Sequence, residues 1–132
     1  MKKFLALIIL ISTVLTATSC DKYVNSFKAI GLIRSNTSQS CFAKFHSLEG
    51  QLVFKLKKSA DGEGTIKYSV TAEEGEITIY YDALGEKEEL VNVKAGESVD
   101  SSGGYVEGGQ RVYIIIEAKD ASKGEVSVEL DG

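Results

Sequence analysis

The residues able to do chemistry are few: one imidazole at His46, two thiols at Cys20 and Cys41, and an excess of carboxylates. Ten Asp and Glu (Glu73, Glu74, Glu76, Asp82, Glu86, Glu88, Glu89, Glu97, Asp100 and Glu107) stand against only Lys87 and Lys94 in the same stretch. Carboxylates on loops are the ligands of hard cations such as calcium. The Asp-x-Asp-x-Asp-Gly spacing is absent, however, so we expect a solvated acidic face and no metal. Glu74 and Glu76 could form an acid–base pair for glycoside hydrolysis, but nothing nearby would separate their pKa values. His46 has only Cys41 near it in sequence, which is an incomplete ligand set. No Gly-x-Ser-x-Gly elbow, phosphate-binding glycine loop or His-Glu-x-x-His pattern occurs. We therefore expect no catalytic residues and no cofactor, with a hydrolase acting on envelope polysaccharide as the remotest alternative.

The thiols gain meaning from what precedes them. Met1-Lys2-Lys3 is a short basic start, and Phe4 to Ala17 is an apolar run of about 14 residues, too short to span a bilayer. This is the pattern of an export signal. It ends Ala17-Thr18-Ser19-Cys20, which resembles the lipobox of bacterial lipoproteins. The resemblance implies cleavage before Cys20, a diacylglycerol on its thiol and acylation of the new amino terminus. Ala17 departs from the usual Leu and Ser19 from the usual Gly or Ala. Asp21 is similar to the inner-membrane retention signal of enterobacterial lipoproteins. Ordinary cleavage after Ser19 also suits Ala17-Thr18-Ser19. In that case Cys20 and Cys41 are the only possible disulfide pair; with Cys20 lipidated, Cys41 is a lone buried thiol.

Apart from Lys2 and Lys3 there are 13 basic and 19 acidic residues, a net of −6. Phosphate backbones would repel such a body, which excludes nucleic acid as the expected partner. Basic residues (Lys22, Lys28, Arg34, Lys44, Lys55, Lys57, Lys58 and Lys67) gather in the first half. They could lean on anionic lipid or wall polymers, or simply protect strand edges.

Whatever chemistry exists must be positioned by strands. Apolar residues alternate at Cys41, Ala43 and Phe45; Leu52, Phe54 and Leu56; Ile66, Tyr68 and Val70; Ile77, Ile79 and Tyr81; Val91 and Val93; Val112, Ile114 and Ile116; and Val126, Val128 and Leu130. Glycine turn signals at Asp61-Gly62, Glu74-Gly75, Leu84-Gly85, Ala95-Gly96, Gly103-Gly104, Gly108-Gly109 and Lys123-Gly124 separate the runs. The pattern predicts an all-β, antiparallel, jelly-roll-like β-sandwich of seven to eight strands. The expected division is a signal peptide over 1–19, a lipidated Cys and tether over 20–39, and the sandwich over 40–132. The stretch from Gly109 through Tyr113 to the Lys123-Gly124 strand resembles small secreted β-sandwiches of the GOLD-like and pre-peptidase C-terminal types. That resemblance implies a non-catalytic accessory or interaction domain.

Tyr80 and Tyr113 fall on strand faces opposite their apolar neighbours and are the candidate ligand-binding residues, able to stack on a sugar ring or anchor a protein. Tyr is also a favoured strand residue on packing grounds alone. The expected protein is thus an exported, lipid-anchored binding module of the cell envelope. Its expected partners are the membrane and a glycan or protein; the alternative is an inhibitor or accessory subunit of an envelope enzyme.

Overall fold

The computed structural model describes residues 22–59 and 62–130. The expected signal peptide and Cys20 lie outside the described residues. Seven strands run β1 (Ser26–Ile30), β2 (Ile33–Asn36), β3 (Ser40–Lys57), β4 (Gly64–Asp82), β5 (Glu88–Lys94), β6 (Ser98–Val106) and β7 (Arg111–Leu130). All pairings are antiparallel, in the order β1-β3-β7-β4-β5, with β2 also on β3 and β6 also on β4.

The three central strands are 18, 19 and 20 residues long, several times an ordinary strand. They can be so long because each folds over near its middle. In β3 the inward positions are Cys41, Ala43 and Phe45, and from Leu48, where the strand bends, they become Leu48, Leu52, Phe54 and Leu56. In β4 the inward set changes from Ile66, Tyr68, Val70 and Ala72 to Ile77 and Ile79 across the Glu74/Glu76 bulge. At both irregularities the extra residue lies in β7, where 118–121 stands opposite 48–50 and 119–122 opposite 74–76, and such a bulge bends the paired strands. β7 turns at the same level, where Asp120 and Lys123 have φ of 46° and 48°. Gly75, at φ 82°, sits so close to the Asp120 carbonyl that a Cβ there would collide with it.

The result is a sandwich made by folding one sheet. Layer one holds β2, the first half of β3, the second half of β7, the first half of β4, and β6. Layer two holds the second half of β3, the first half of β7, the second half of β4, and β5, while β1 runs along the edge of the bend, paired with β3 from Gln51 to Ser47. The inward residues of both halves form one core, from Cys41, Phe45, Val70 and Val126 to Leu52, Phe54, Ile79 and Ile116. The free ends of the folded strands meet again, so that the Lys57 N–H donates to the Ser38 carbonyl at 2.6 Å. The molecule therefore has a bent end, at Leu48–Gly50, Gly75 and Asp120, and an open end carrying the turns 37–39, 83–87 and 107–110.

The all-β sandwich expectation holds, but its elements differ. Glu74-Gly75 and Lys123-Gly124, read as turns between strands, are bends inside continuous strands; Gly124 lacks a Cβ where the Phe45 ring packs. Gly103-Gly104 lies within β6, not in a turn. The residues expected as tether supply β1 and β2, because the edge of β3 leaves its N–H and C=O groups open to any extended segment.

Candidate functional site

The outer face of layer two carries the tyrosines. Val53, Ile115 and Tyr80 are cross-strand neighbours on β3, β7 and β4, and Lys55, Tyr113 and Asp82 form the next row toward the open end. Directly opposed residues share a face, so Tyr80 and Tyr113 do stand together, diagonal to one another, on the side away from the core. Ile115 between them is fully buried although it lies outside the main core. This outer face is a second, thin apolar layer.

Part of its cover is the N-terminal segment. The Asn25 Oδ1 accepts from the Val53 N–H at 2.8 Å, and the Val24 carbonyl accepts from Gln51 Nε2 at 3.0 Å, docking the chain beside β3. Tyr23 then crosses β7, its ring edge-on to Tyr113 with centroids 5.2 Å apart. Its hydroxyl donates to Asp82 Oδ2 at 2.7 Å, and Lys22 Nζ donates to the same oxygen at 3.0 Å and to the Gly85 carbonyl. Asp82 Oδ1 accepts the Gly85 N–H at 2.7 Å. Asp82 is only 3% exposed. Burial pushes its carboxyl up, but the hydrogen bonds from Tyr23, Lys22 and Gly85 outweigh this and hold it below the usual carboxylate range. Burial, then the Asp82 hydrogen bond and its charge, push the Tyr23 phenol up to about 12.

Tyr80 is roofed differently. Lys87 Nζ sits 4.3 Å from its ring centroid and bonds Glu117 Oε2 at 2.7 Å. Burial and the Glu117 carboxylate raise its phenol pKa. Beside it Asn92 Nδ2 bridges Glu76 Oε2 at 2.6 Å and Thr78 Oγ1 at 2.8 Å, and the Glu76 carboxyl is lowered by the Asn92 hydrogen bond. The face is thus a patch of half-covered aromatic rings framed by a lysine, a glutamate and an asparagine.

The other candidates are dispersed. Glu74 accepts from Ser122 Oγ at 3.2 Å while Glu76 turns to Asn92, so the two carboxylates serve different partners. Among the described residues no three His, Cys, Asp or Glu converge as a metal site. His46 is exposed and lines an open depression with Gly31, Ile33 and Lys44, while Cys41 on the same strand faces the core. Cys41 is a free thiol, 3% exposed, and burial pushes its pKa up to about 12. Sequence reasoning missed Asp82, Tyr23 and Lys22 as a unit. Their only signal was a Tyr and a Lys in a segment otherwise read as tether.

No family model matches the chain, and no curated protein matches it. Among solved structures it is similar to the carbohydrate-binding module TmCBM61 in complex with beta-1,4-galactotriose, at 13% identity and a TM-score of 0.43, covering 74% of this chain and 66% of that one. It is also similar to the pre-peptidase C-terminal domain of collagenase from Bacillus anthracis, at 15% identity and a TM-score of 0.45, covering 82% and 90%. A family 29 carbohydrate-binding module complexed with mannohexaose matches at 16% identity and a TM-score of 0.38, covering 83% and 79%. These are likenesses of strand architecture, too distant to bear on what this chain binds.

Proposed function

We propose that this chain is an exported protein held to a membrane by lipid on Cys20, its sandwich serving as a non-catalytic binding module of the cell envelope. One observation supports the reading: the described chain nearest to Cys20 begins on the far side of a sheet layer from the Cys41 thiol. Cys41 faces the core, whereas Lys22, two residues after Cys20, is fixed on the outer face of layer two. Two residues reach at most about 7 Å, while packed sheets stand about 10 Å apart. That geometry speaks against a Cys20–Cys41 disulfide and leaves Cys20 for acylation. The carboxylates support a non-catalytic role, since Asp82, Glu76, Glu74 and Glu117 each serve a separate structural partner.

The ligand surface in this reading is the Tyr80 side of layer two, where the ring under Lys87 can exchange that lysine for a sugar ring or a partner side chain. The mass of the N-terminal peptide from native membranes tests the anchor. An acylated Cys20 is expected, and an unmodified Cys20 or a Cys20–Cys41 cross-link overturns it. Co-sedimentation with isolated envelope polymer tests the surface. Tyr80→Ala should weaken retention by about tenfold with an unchanged circular dichroism spectrum, and full retention removes Tyr80 from the site.

A further inference from the structure

We infer that the anchored domain is held in one orientation, open end down, with the β4–β5 turn at Leu84 in contact with the lipid headgroups. The inference rests on lipidation of Cys20 and specifies what that lipid would do. A lipoprotein domain on a long tether samples all orientations, and the sequence suggested such a tether over 20–39. The structure instead builds β1 and β2 within it and pins its first described residues: Lys22 and Tyr23 are bonded to Asp82, and Lys22 also to the Gly85 carbonyl. The first described residue after Cys20, Lys22, therefore has its side chain held at the β4–β5 turn. Two residues span at most about 7 Å, so acyl chains on Cys20 would enter the bilayer beside that turn.

A second observation marks the same place. Leu84, at the tip of the turn, is 72% exposed, somewhat more than Ile30 at 65% and Ile33 at 63% on the β1–β2 edge. Tyr105, near the end of β6, is 49% exposed and lies at the same open end, since β6 runs there beside the start of β4. An exposed leucine and an exposed tyrosine suit the membrane interface, where a ring can lie at headgroup level with its hydroxyl wet. The Tyr80 surface then stands upright on the side of the domain, open to ligands arriving parallel to the membrane.

The test uses the full acylated protein in vesicles of phosphatidylethanolamine and phosphatidylglycerol, with an environment-sensitive fluorophore on Leu84→Cys or on Ser122→Cys at the bent end. Spin-labelled lipid should quench the Leu84→Cys probe several-fold more than the Ser122→Cys probe. A Lys22→Ala/Tyr23→Phe double variant, which removes both side-chain bonds of the clasp to Asp82, should cut that ratio by at least about half, because it lengthens the anchor's reach. Equal quenching of the two probes on protein whose Cys20 carries acyl mass overturns the orientation alone. A preparation whose N-terminal peptide lacks acyl mass, and which fails to float with the vesicles, overturns the lipid reading and the orientation with it.

Discussion

The Tyr23 hydroxyl donates to a buried Asp82 carboxylate, 59 positions away in sequence, at 2.7 Å. This bond, with the Lys22 ion pair on the same oxygen, converts an N-terminal segment into the lid of an outer apolar layer. Asp82 is the keystone, because three donors from two parts of the chain converge on it. Removing a donor and removing the acceptor should therefore have unequal effects.

Tyr23→Phe deletes one charge-assisted hydrogen bond and should destabilise the protein by about 1–2 kcal/mol. Asp82→Ala strands the Tyr23 hydroxyl and the Gly85 N–H and should cost about 3 kcal/mol. Lys22→Ala removes a half-exposed partner and should cost under about 1 kcal/mol. Urea unfolding monitored by tyrosine fluorescence ranks the three. An order with Lys22→Ala as the most damaging contradicts the keystone role.

The same cluster sets a pH window. Asp82 titrates below its unfolded value, near about 3.9, so its contribution is complete above that value and is lost as pH falls through the lower folded value. Tyr23 titrates near 12 when folded against about 10 unfolded. Its contribution is complete below the unfolded value and fades as pH rises toward the folded one. Exchange of the Val53 amide, which donates to Asn25 on the docked segment, should be slowest relative to free peptide between about pH 4 and 10. In Tyr23→Phe the alkaline limb should disappear and the acid limb remain.

The bends were the least legible part of the fold. Alternation correctly located the inward residues on each half-strand, since a period of two is imposed by the pleat wherever one face is buried. It could not tell a bend from a hairpin, because Glu74-Gly75 has the composition of a turn and only its close approach to Asp120 shows that the strand continues. β6, reading Ser-Val-Asp-Ser-Ser-Gly-Gly-Tyr-Val, has no apolar alternation to detect and is a strand because β4 offers it an edge. Residues 27–33 read equally as strand or as part of a tether, and β1 and β2 form because β3 offers them an edge. The shared face of Tyr80 and Tyr113 was legible from parity within each strand. The Asp82 clasp was not, since its partners are joined only by the folded topology.

Gly75 and Gly96 both have positive φ, at 82° and 81°, yet they should respond differently to alanine. A Cβ on Gly75 meets the Asp120 backbone, whereas one on Gly96 meets nothing within 4 Å. Gly96→Ala carries only the cost of the left-handed conformation, about 1 kcal/mol. Gly75→Ala must also push two strands apart at the bend and should cost at least about 3 kcal/mol. Thermal denaturation of the pair separates the two contributions, and equal losses would mean that the bend does not depend on that close approach.

Cys41 gives a direct readout of whether the sandwich opens. Its thiol faces the core in a row with Val128 and Tyr68, and burial alone lifts its pKa to about 12. Almost no thiolate exists at neutral pH, and none is within reach of a reagent while the layers remain closed. Maleimide modification of Cys41 in folded protein should therefore follow the opening of the sandwich, and in saturating reagent its rate should equal the unfolding rate. Asp82→Ala weakens the cover of layer two but leaves the inward face of Cys41 unchanged. If it acts only through global stability, its labelling should accelerate by the factor its urea midpoint predicts. Labelling faster than that factor would show that the outer clasp also holds the two layers together.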